Sequence, residues 1–234
     1  RGFITSKVCL PIQNMEAQTM LEHKCNEPDH RAEAAIIWLH GLGADGHDFE
    51  PVVPELGLSD LNIRYVFPHA PERPVGINNG EVMRAWFDFQ PHAETAGNED
   101  IEASAHHLMD LIDAQKALGL RSERIFLAGF SQGGVIALHT ALRYPERLAG
   151  VIALSTYLHD PLGTERARHD ANLAIPIFLA HGQGDPMIPI MRAATARENL
   201  TRLACDVEWH AYPMGHQVCL EELQDLAAFI RRTL

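Results

Sequence analysis

The sequence lacks the features that would assign it to a membrane or a nucleic acid. No apolar run approaches the roughly 18–20 residues of a membrane span, and the N-terminus has no uninterrupted apolar signal core. No Lys/Arg run offsets the formal charge of −12, so phosphate backbones and anionic lipids would be repelled. We therefore expect no integral membrane segment and no nucleic-acid partner.

Cysteine is scarce and forms no CxxC pair; the four residues are Cys9, Cys25, Cys205 and Cys219. Such scatter is typical of reduced thiols in a cytosolic protein, although the even count leaves a disulfide open. We expect a cytoplasmic protein. No HExxH motif or Cys/His cluster completes a site around His40 and His47, so we expect neither a metal nor a cofactor.

The 234 residues fit one α/β domain, and a composition of 46% hydrophobic and 21% charged residues is that of an ordinary globular protein. We expect a single domain over residues 1–234. The chain begins at Arg1 rather than Met, and we expect residues 1–7 to be disordered or not native.

Short apolar runs bounded by Gly, Pro and Asp alternate with segments of helical period. The runs predict strands at Ala34–His40, Ile63–Pro68, Arg124–Phe130, Leu148–Ser155, Ile175–His181 and Asp206–Tyr212, with an earlier hairpin at Val8–Pro11 left open. Helices are predicted at Glu99–Leu118, Gln132–Arg143, Pro189–Leu203 and Cys219–Arg231. This alternation indicates a mostly parallel central sheet with helices on both faces. The segment Pro68 to Asp100 has little regular pattern, and we look there first for substrate contacts.

A nucleophile is predicted at Ser131, within Gly-Phe-Ser-Gln-Gly at positions 129–133. The motif follows an apolar strand and precedes a helical run, which is the context of a nucleophile elbow. Gly129 and Gly133 leave space for the sharp turn. Ser155 also ends an apolar strand, but it lacks the glycine frame and is read as a turn or pocket-wall residue.

A serine nucleophile needs a histidine base that a carboxylate orients, in the chain order Ser, Asp or Glu, His. His216 lies in a turn between the last strand and the last helix and is the predicted base. Asp185, in the glycine-rich turn after the strand Ile175–His181, is the predicted acid, with Asp160 as its rival.

Backbone N–H groups must stabilise the oxyanion that acyl transfer creates. One donor is predicted at Gln132, directly after the nucleophile, and the other at Leu42 in the glycine-rich loop His40–Gly46. The same loop matches GxGxxG, but Pro51 and Pro54 soon interrupt any helix, so a dinucleotide site is disfavoured.

Five segments together resemble the carboxylesterase and acyl-protein thioesterase family (phospholipase/carboxylesterase type), whose members have the α/β-hydrolase fold. They are HGLGADG at 40–46, NNGEVMRAWFD at 78–88, GFSQGG at 129–134, HGQGDPMIP at 181–189 and YPMGHQVC at 212–219. The resemblance implies a triad of Ser131, Asp185 and His216, an oxyanion hole of Leu42 and Gln132, and Trp86 lining the acyl site. Residues 137–158 look more like the bacterial carboxylesterase branch.

The sequence therefore predicts an esterase that cleaves carboxylic esters of short to medium acyl chains through an acyl-enzyme on Ser131. An acyl-protein thioesterase or a lysophospholipase with the same triad is the alternative, so the partner is a small-molecule ester, an acylated protein or a lysophospholipid. A hydrolase-fold protein that only binds an acyl ligand is a further rival. The resemblance leaves a homodimer open, and no sequence feature decides it.

Overall fold

The computed structural model describes residues 20–89 and 97–234 of the chain. Its strands are β1 His23–Asn26, β2 Ala34–Leu39, β3 Ile63–Pro68, β4 Glu72–Val75, β5 Glu81–Arg84, β6 Ile125–Phe130, β7 Gly150–Leu154, β8 Pro176–Gly182 and β9 Asp206–Tyr212. Its α-helices are α1 Val53–Leu56, α2 Asn98–Ala117, α3 Gln132–Arg143, α4 Pro161–Ala167, α5 Ile190–Arg202 and α6 Leu220–Thr233.

Seven strands form one central sheet in the order β1-β3-β2-β6-β7-β8-β9. β1 runs antiparallel to β3, and every other neighbouring pair in this sheet is parallel. β4 and β5 form a separate antiparallel hairpin. The predicted α/β architecture with a mostly parallel sheet is therefore confirmed.

Apolar side chains pack on both faces of the sheet. One core cluster joins the sheet to α2, α3 and α5, and a second joins the opposite face to α1 and α6. Because helices cover both faces, the central strands have no polar side to present to water. This explains why β2 is buried at every position and why its sequence is continuously apolar.

The predicted elements agree with the observed ones to within two residues at either end, and Ile63–Pro68, Gln132–Arg143 and Asp206–Tyr212 match fully. The sequence patterns did not reveal β1, α1, α4 or the hairpin β4–β5, which lies in the segment that showed little regular pattern. These elements are short and half exposed, so they carry a weak hydrophobic period. The hairpin left open at Val8–Pro11 and the expectation for residues 1–7 lie outside the described residues.

The carboxyl ends of the parallel strands meet at one edge of the sheet, where open α/β sheets usually bind ligands. The loops after β2, β6, β7, β8 and β9 all emerge there. Within the ranges 20–89 and 97–234, no helix has both the length and the apolar character needed to cross a bilayer.

Candidate active site

Ser131 lies between the end of β6 and the start of α3, with φ 54° and ψ −118°. L-residues seldom adopt this conformation, which costs of order 1–3 kcal/mol, so the surrounding structure must hold it. The Ser131 N–H donates to the Leu154 carbonyl at 2.9 Å, and the Thr156 hydroxyl donates to the Ser131 carbonyl at 2.7 Å. Strand β7 and the loop after it therefore fix the turn on both sides of Ser131.

The two glycines that flank Ser131 are required by close backbone contacts. A Cβ atom added to Gly129 would lie 2.3 Å from the backbone of Gly133. A Cβ atom added to Gly133 would lie 2.5 Å from the Leu39 carbonyl oxygen at the end of β2. The sharp strand-to-helix turn predicted from the motif is thus present, and only glycine fits at either flank.

Asp185 follows β8, and its side chain is fully buried. Its Oδ1 accepts hydrogen bonds from the Met187 N–H at 2.8 Å and the Ile188 N–H at 2.9 Å. Its Oδ2 accepts from His216 Nδ1 at 2.7 Å. Burial alone would raise the pKa of the Asp185 carboxyl, but the bonds from Ile188, His216 and Met187 outweigh that effect and lower its pKa.

His216 lies in the turn between β9 and α6, and 18% of its side chain remains exposed. Its ring packs against Phe130, with the ring centroids 4.7 Å apart. With Nδ1 bound to Asp185, the Nε2 side of the ring is available for proton transfer. His216 and Ser131 line the same cavity, so the fold brings together two residues 85 positions apart in the chain.

A second histidine supports the turn that carries Asp185. His181, at the end of β8, is completely buried, and its Nε2 donates to the Ile188 carbonyl at 2.7 Å. The same nitrogen lies 3.4 Å from Asp185 Oδ2. Burial lowers the pKa of His181, so the ring is neutral near pH 7. His181 therefore holds the turn that carries Asp185 through its bond to the Ile188 carbonyl.

The rival candidates have other structural roles. Asp160 is the N-cap of α4, where its Oδ1 accepts from the Gly163 N–H at 2.9 Å. This is an ordinary helix-capping bond. Ser155 is completely buried at the end of β7 and does not line the cavity that contains Ser131.

Leu42 and Gln132 both line the cavity beside Ser131. The loop that carries Leu42 is anchored by His40, which is buried at the end of β2. Its Nδ1 donates to the Gly41 carbonyl at 2.7 Å, and its Nε2 accepts from the Ala70 N–H at 3.0 Å. Burial lowers the pKa of His40 to about 4, so the neutral tautomer with Nδ1–H persists at neutral pH.

These hydrogen bonds use both ring nitrogens of His40 and leave none to ligate a metal with His47. His47 itself is on the surface, where its Nδ1 lies 3.2 Å from a Glu50 carboxylate oxygen. In the part of the chain that the structure describes, no group of three or more His, Cys, Asp or Glu side chains is placed to hold a metal ion.

The cavity at Ser131 has a volume of about 540 Å³ and opens to solvent. Most of its wall is apolar. Apolar side chains on the wall include Leu42, Ile77, Met83, Phe87, Phe89, Phe130, Tyr157, Met187 and Ile188. The charged side chains on the wall are Asp48 and Arg192. A cavity of this kind suits the acyl part of an ester or thioester.

The sequence profile of the phospholipase/carboxylesterase family matches residues 22–234. The chain belongs to the phospholipase/carboxylesterase family. Membership of this family shows that the protein has the α/β-hydrolase fold and is a hydrolase.

Three relatives illustrate the range of this family. Acyl-protein thioesterase 1 of Gibberella zeae is 34% identical over 213 residues, which cover 86% of this chain and 91% of the relative. The crystal structure of SOBER1 from Arabidopsis thaliana is similar at 32% identity and a TM-score of 0.80, covering 86% of this chain and 99% of that one. The crystal structure of esterase PE8 is similar at 28% identity and a TM-score of 0.80, covering 92% and 99%.

In this family member, Trp86 lies behind the cavity wall, which differs from the prediction that it lines the acyl site. Its exposure is 1%, and it is absent from the residues that line the cavity. Its indole N–H donates to the His40 carbonyl at 2.9 Å, and its backbone N–H donates to Gln132 Oε1 at 2.7 Å. Trp86 therefore packs in the core and joins the segment after β5 to His40 and Gln132.

The side chain of Gln132 is a clamp that the sequence did not reveal. Besides accepting from Trp86, it donates through Nε2 to the Phe87 carbonyl at 2.7 Å. These two bonds tie the segment after β5 to the start of α3. Phe87 and Phe89 thereby reach the cavity wall, as do Ile77, Asn78 and Met83 from the same long segment. The expectation that substrate contacts come from Pro68 to Asp100 is thus consistent with the cavity.

Other wall residues were missed because they come from unrelated parts of the chain. Tyr157 follows β7, Met187 and Ile188 follow Asp185, and Arg192 lies in the first turn of α5. Tyr157 and Arg192 lie outside the five motif segments, and within the segment 181–189 only Asp185 was singled out as a site residue. The apolar run Met-Ile-Pro-Ile-Met at 187–191, directly after the turn that carries Asp185, was a usable signal in the sequence. In the structure, Met187 and Met191 are about 70% exposed.

Proposed function

We propose that this protein is a serine hydrolase that cleaves acyl thioesters and esters through an acyl-enzyme on Ser131. One observation carries the proposal. His216, which is bonded to the buried Asp185 carboxylate at 2.7 Å, faces the same cavity as Ser131 at its strained turn. This is the arrangement that activates a serine hydroxyl.

In the first step, Ser131 Oγ attacks the carbonyl carbon of the substrate and its proton passes to His216 Nε2. Asp185 holds the Nδ1–H tautomer and stabilises the imidazolium that forms. The tetrahedral intermediate then collapses, the bond to the leaving sulfur or oxygen breaks, and His216 returns the proton to that atom. The products of this step are an acyl-enzyme and a free thiol or alcohol.

In the second step, water attacks the carbonyl carbon of the acyl-enzyme and gives a proton to His216. The second tetrahedral intermediate then collapses, the bond between the acyl carbon and Ser131 Oγ breaks, His216 returns the proton to Oγ, and the carboxylic acid leaves. In both steps the negative charge on the carbonyl oxygen is stabilised by the backbone N–H groups of Leu42 and Gln132. Loss of one such donor typically costs about 10²–10³ in rate. The proposed reaction draws on groups of this chain and water, with no cofactor or metal.

We propose S-acylated proteins as the leading substrate class. The relative from Gibberella zeae is named an acyl-protein thioesterase, and at 34% identity over 86% of this chain it supports a thioester substrate. The apolar cavity of about 540 Å³ supports an acyl chain as the bound group. The sequence alone favours carboxylic esters of short to medium acyl chains instead.

Carboxylic esters, including lysophospholipids, are the second candidate. The similarity to esterase PE8, which extends over 92% of this chain, supports them. A cytoplasmic location is proposed with either substrate. It is supported by the thiols of Cys25, Cys205 and Cys219, which are free in the described residues.

The decisive experiment combines labelling by a fluorophosphonate probe with turnover of matched S-acyl and O-acyl substrates of increasing chain length. Wild-type protein is expected to label once and to hydrolyse both series, with higher kcat/KM for the thioesters. Ser131→Ala is expected to abolish labelling. A wild-type protein that neither labels nor turns over any substrate would instead be an acyl-binding protein without catalytic activity.

Ser155→Ala is the matched control. Ser155 also follows a strand and also has a positive φ, of 46°, but it is completely buried. This variant is expected to label like the wild type. Labelling that survives Ser131→Ala and disappears in Ser155→Ala would refute the assignment of the nucleophile.

A further inference from the structure

Arg192 brings a positive charge to the wall of the cavity that contains Ser131. It lies in the first turn of α5, close in the chain to the wall residues Met187 and Ile188. Its guanidinium carbon is 3.7 Å from the centroid of the Tyr157 ring, so the cation stacks on an aromatic face. Tyr157 is itself buried, and the stacking holds the long side chain against the wall.

Within residues 20–89 and 97–234, Arg192 has no carboxylate within ion-pair distance. The other arginines of α5 differ. Arg202 pairs with Glu165 at 2.9 Å, and Arg197 lies over Trp209 away from the cavity. Arg192 is therefore the arginine of α5 that both faces the reaction site and keeps its hydrogen-bond donors free of an acid.

The carboxylates near the cavity do not neutralise this charge by contact. Asp185 is buried and occupied by His216 and two backbone N–H groups. Asp48 also lies on the wall, in the loop after β2, but among the described residues it forms no ion pair with Arg192. The wall is otherwise mostly apolar, and the Arg192 side chain is exposed, so its guanidinium is accessible to a substrate in the cavity.

We propose that Arg192 determines specificity by binding an anionic oxygen group of the substrate, a carboxylate or a phosphate. The planar guanidinium fork matches both groups and forms stronger hydrogen bonds to them than to neutral acceptors. The inference deepens the proposed function and rests on it, because Arg192 acts on the substrate that Ser131 attacks. A local cation on the cavity wall would offset the repulsion that a net charge of −12 exerts on such a group.

The test compares pairs of substrates that differ in one charge. In the first pair, the leaving group of an S-hexanoyl thioester is N-acetylcysteine or its neutral amide. In the second, the acyl chain of an N-acetylcysteamine thioester is adipoyl or its distal methyl ester. In the third, hexanoyl glycerol 3-phosphate is compared with monohexanoylglycerol. The readout is the ratio of kcat/KM for the anionic substrate to that for the neutral one.

In at least one pair, this ratio is expected to fall about tenfold in Arg192→Gln, and the pair affected locates the anion on the leaving group, on the acyl chain or as a phosphate. Arg192→Lys keeps the charge but loses the planar fork, so its ratio should lie between the ratios of the wild type and Arg192→Gln. In 0.5 M NaCl the wild-type ratio should approach that of Arg192→Gln.

Arg197→Gln is the matched control, because it removes the same charge from an arginine on the same helix that also lies over an aromatic ring. Its ratio should equal that of the wild type. Ratios in Arg192→Gln that stay within twofold of wild type in all three pairs would refute the role of Arg192. Failure of the proposed function would give a different result: the wild-type protein would neither hydrolyse the neutral substrates nor react with the fluorophosphonate probe.

Discussion

The Asp185 carboxylate is fully buried, yet its pKa is held below the ordinary range by three hydrogen bonds. Two come from the backbone of its own turn and one from His216. A buried carboxylate with a lowered pKa stays ionised throughout the neutral range, which is the state needed to stabilise an imidazolium. Asp160, by contrast, caps an exposed helix end.

We predict that Asp185→Asn lowers kcat by about 10³–10⁴-fold, because the amide cannot hold the reactive tautomer of His216 or stabilise its charge. Asp160→Asn should retain most of the wild-type kcat, because asparagine is also a good N-cap. Steady-state kinetics with one chromogenic thioester checks both variants. A large loss in Asp160→Asn with near-normal activity in Asp185→Asn would reverse the assignment.

Glu222 has the opposite electrostatic environment. It lies in the first turn of α6, it is completely buried, and neither carboxylate oxygen has a hydrogen-bond partner in the described residues. Burial raises the pKa of Glu222 to about 8, and the nearby Cys219 N–H offsets only part of that effect. The folded protein therefore keeps this carboxyl protonated where the unfolded chain, with an ordinary pKa, releases the proton.

Because the folded pKa is raised, the contribution of Glu222 to stability is fully present below its unfolded pKa, near 4.5, and declines as the pH rises toward about 8. We predict that Glu222→Gln removes this decline. The difference in the free energy of unfolding, variant minus wild type, should therefore increase by about 2–5 kcal/mol from pH 5 to pH 8. Urea unfolding at both pH values measures it, and parallel pH dependences of the two proteins would contradict the prediction.

At the scale of elements, the turn at Ser131 depends on three segments approaching one another closely. Strand β6 delivers the serine, α3 begins directly after it, and the end of β2 packs against Gly133. The glycines are set by backbone contacts between these elements rather than by flexibility. The same packing puts the loop after β2, with Leu42, beside Ser131 on the cavity wall.

We predict that Gly129→Ala destabilises the protein by more than about 3 kcal/mol, because its methyl group would overlap the backbone of Gly133. Gly184→Ala is the control in the turn that carries Asp185. Its added Cβ would lie 3.6 Å from the nearest atom, an ordinary contact, so its stability should stay within about 1 kcal/mol of wild type. Thermal unfolding measures both, and equal melting temperatures would contradict the steric argument.

Sequence patterns identified the long elements and missed the short ones. α3 was predicted to the residue because its apolar run is long and begins at a glycine-framed turn. The hairpin β4–β5 gave no such pattern, since its strands have four residues each and are largely exposed. Its position depends on contacts elsewhere, including the bond from the Gly43 N–H to the Arg84 carbonyl at 2.9 Å.

At the scale of the whole molecule, the sheet divides the apolar core into two clusters. Leu108 on α2 belongs to one face, and Phe178 on β8 contributes its side chain to the other. Neighbouring positions of β8 alternate between the two clusters, so the strands couple them. The expectation of a single domain over residues 1–234 stays a prediction, and this coupling offers a test.

We predict that the wild-type protein unfolds in one calorimetric transition. Leu108→Ala and Phe178→Ala should each remove about 3–5 kcal/mol and lower the midpoint of that same transition by about 10 °C. Leu118 directly follows α2 and is 59% exposed, so Leu118→Ala should shift the midpoint by less than about 2 °C. Two separate transitions, each affected by one core variant, would contradict a single cooperative domain.

The sequence by itself determined the alternation of strands and helices, the mostly parallel sheet and the motifs around Ser131, Asp185 and His216. Each of these is encoded locally. Continuous apolar runs suit strands covered on both faces, and glycine-rich turns mark the places where the chain leaves a strand. The chain order of serine, acid and base then selected the candidates among many histidines and carboxylates.

Only the tertiary structure decided which side chains meet. The bond between His216 and Asp185 spans 31 residues, and Trp86 contacts His40 across 46 residues, so no local period predicts either. Long-range packing placed Trp86 behind the cavity wall and brought Arg192 onto Tyr157 beside Ser131. Such contacts depend on how the sheet twists and how helices pack on it, which the spacing of apolar residues along the chain does not specify.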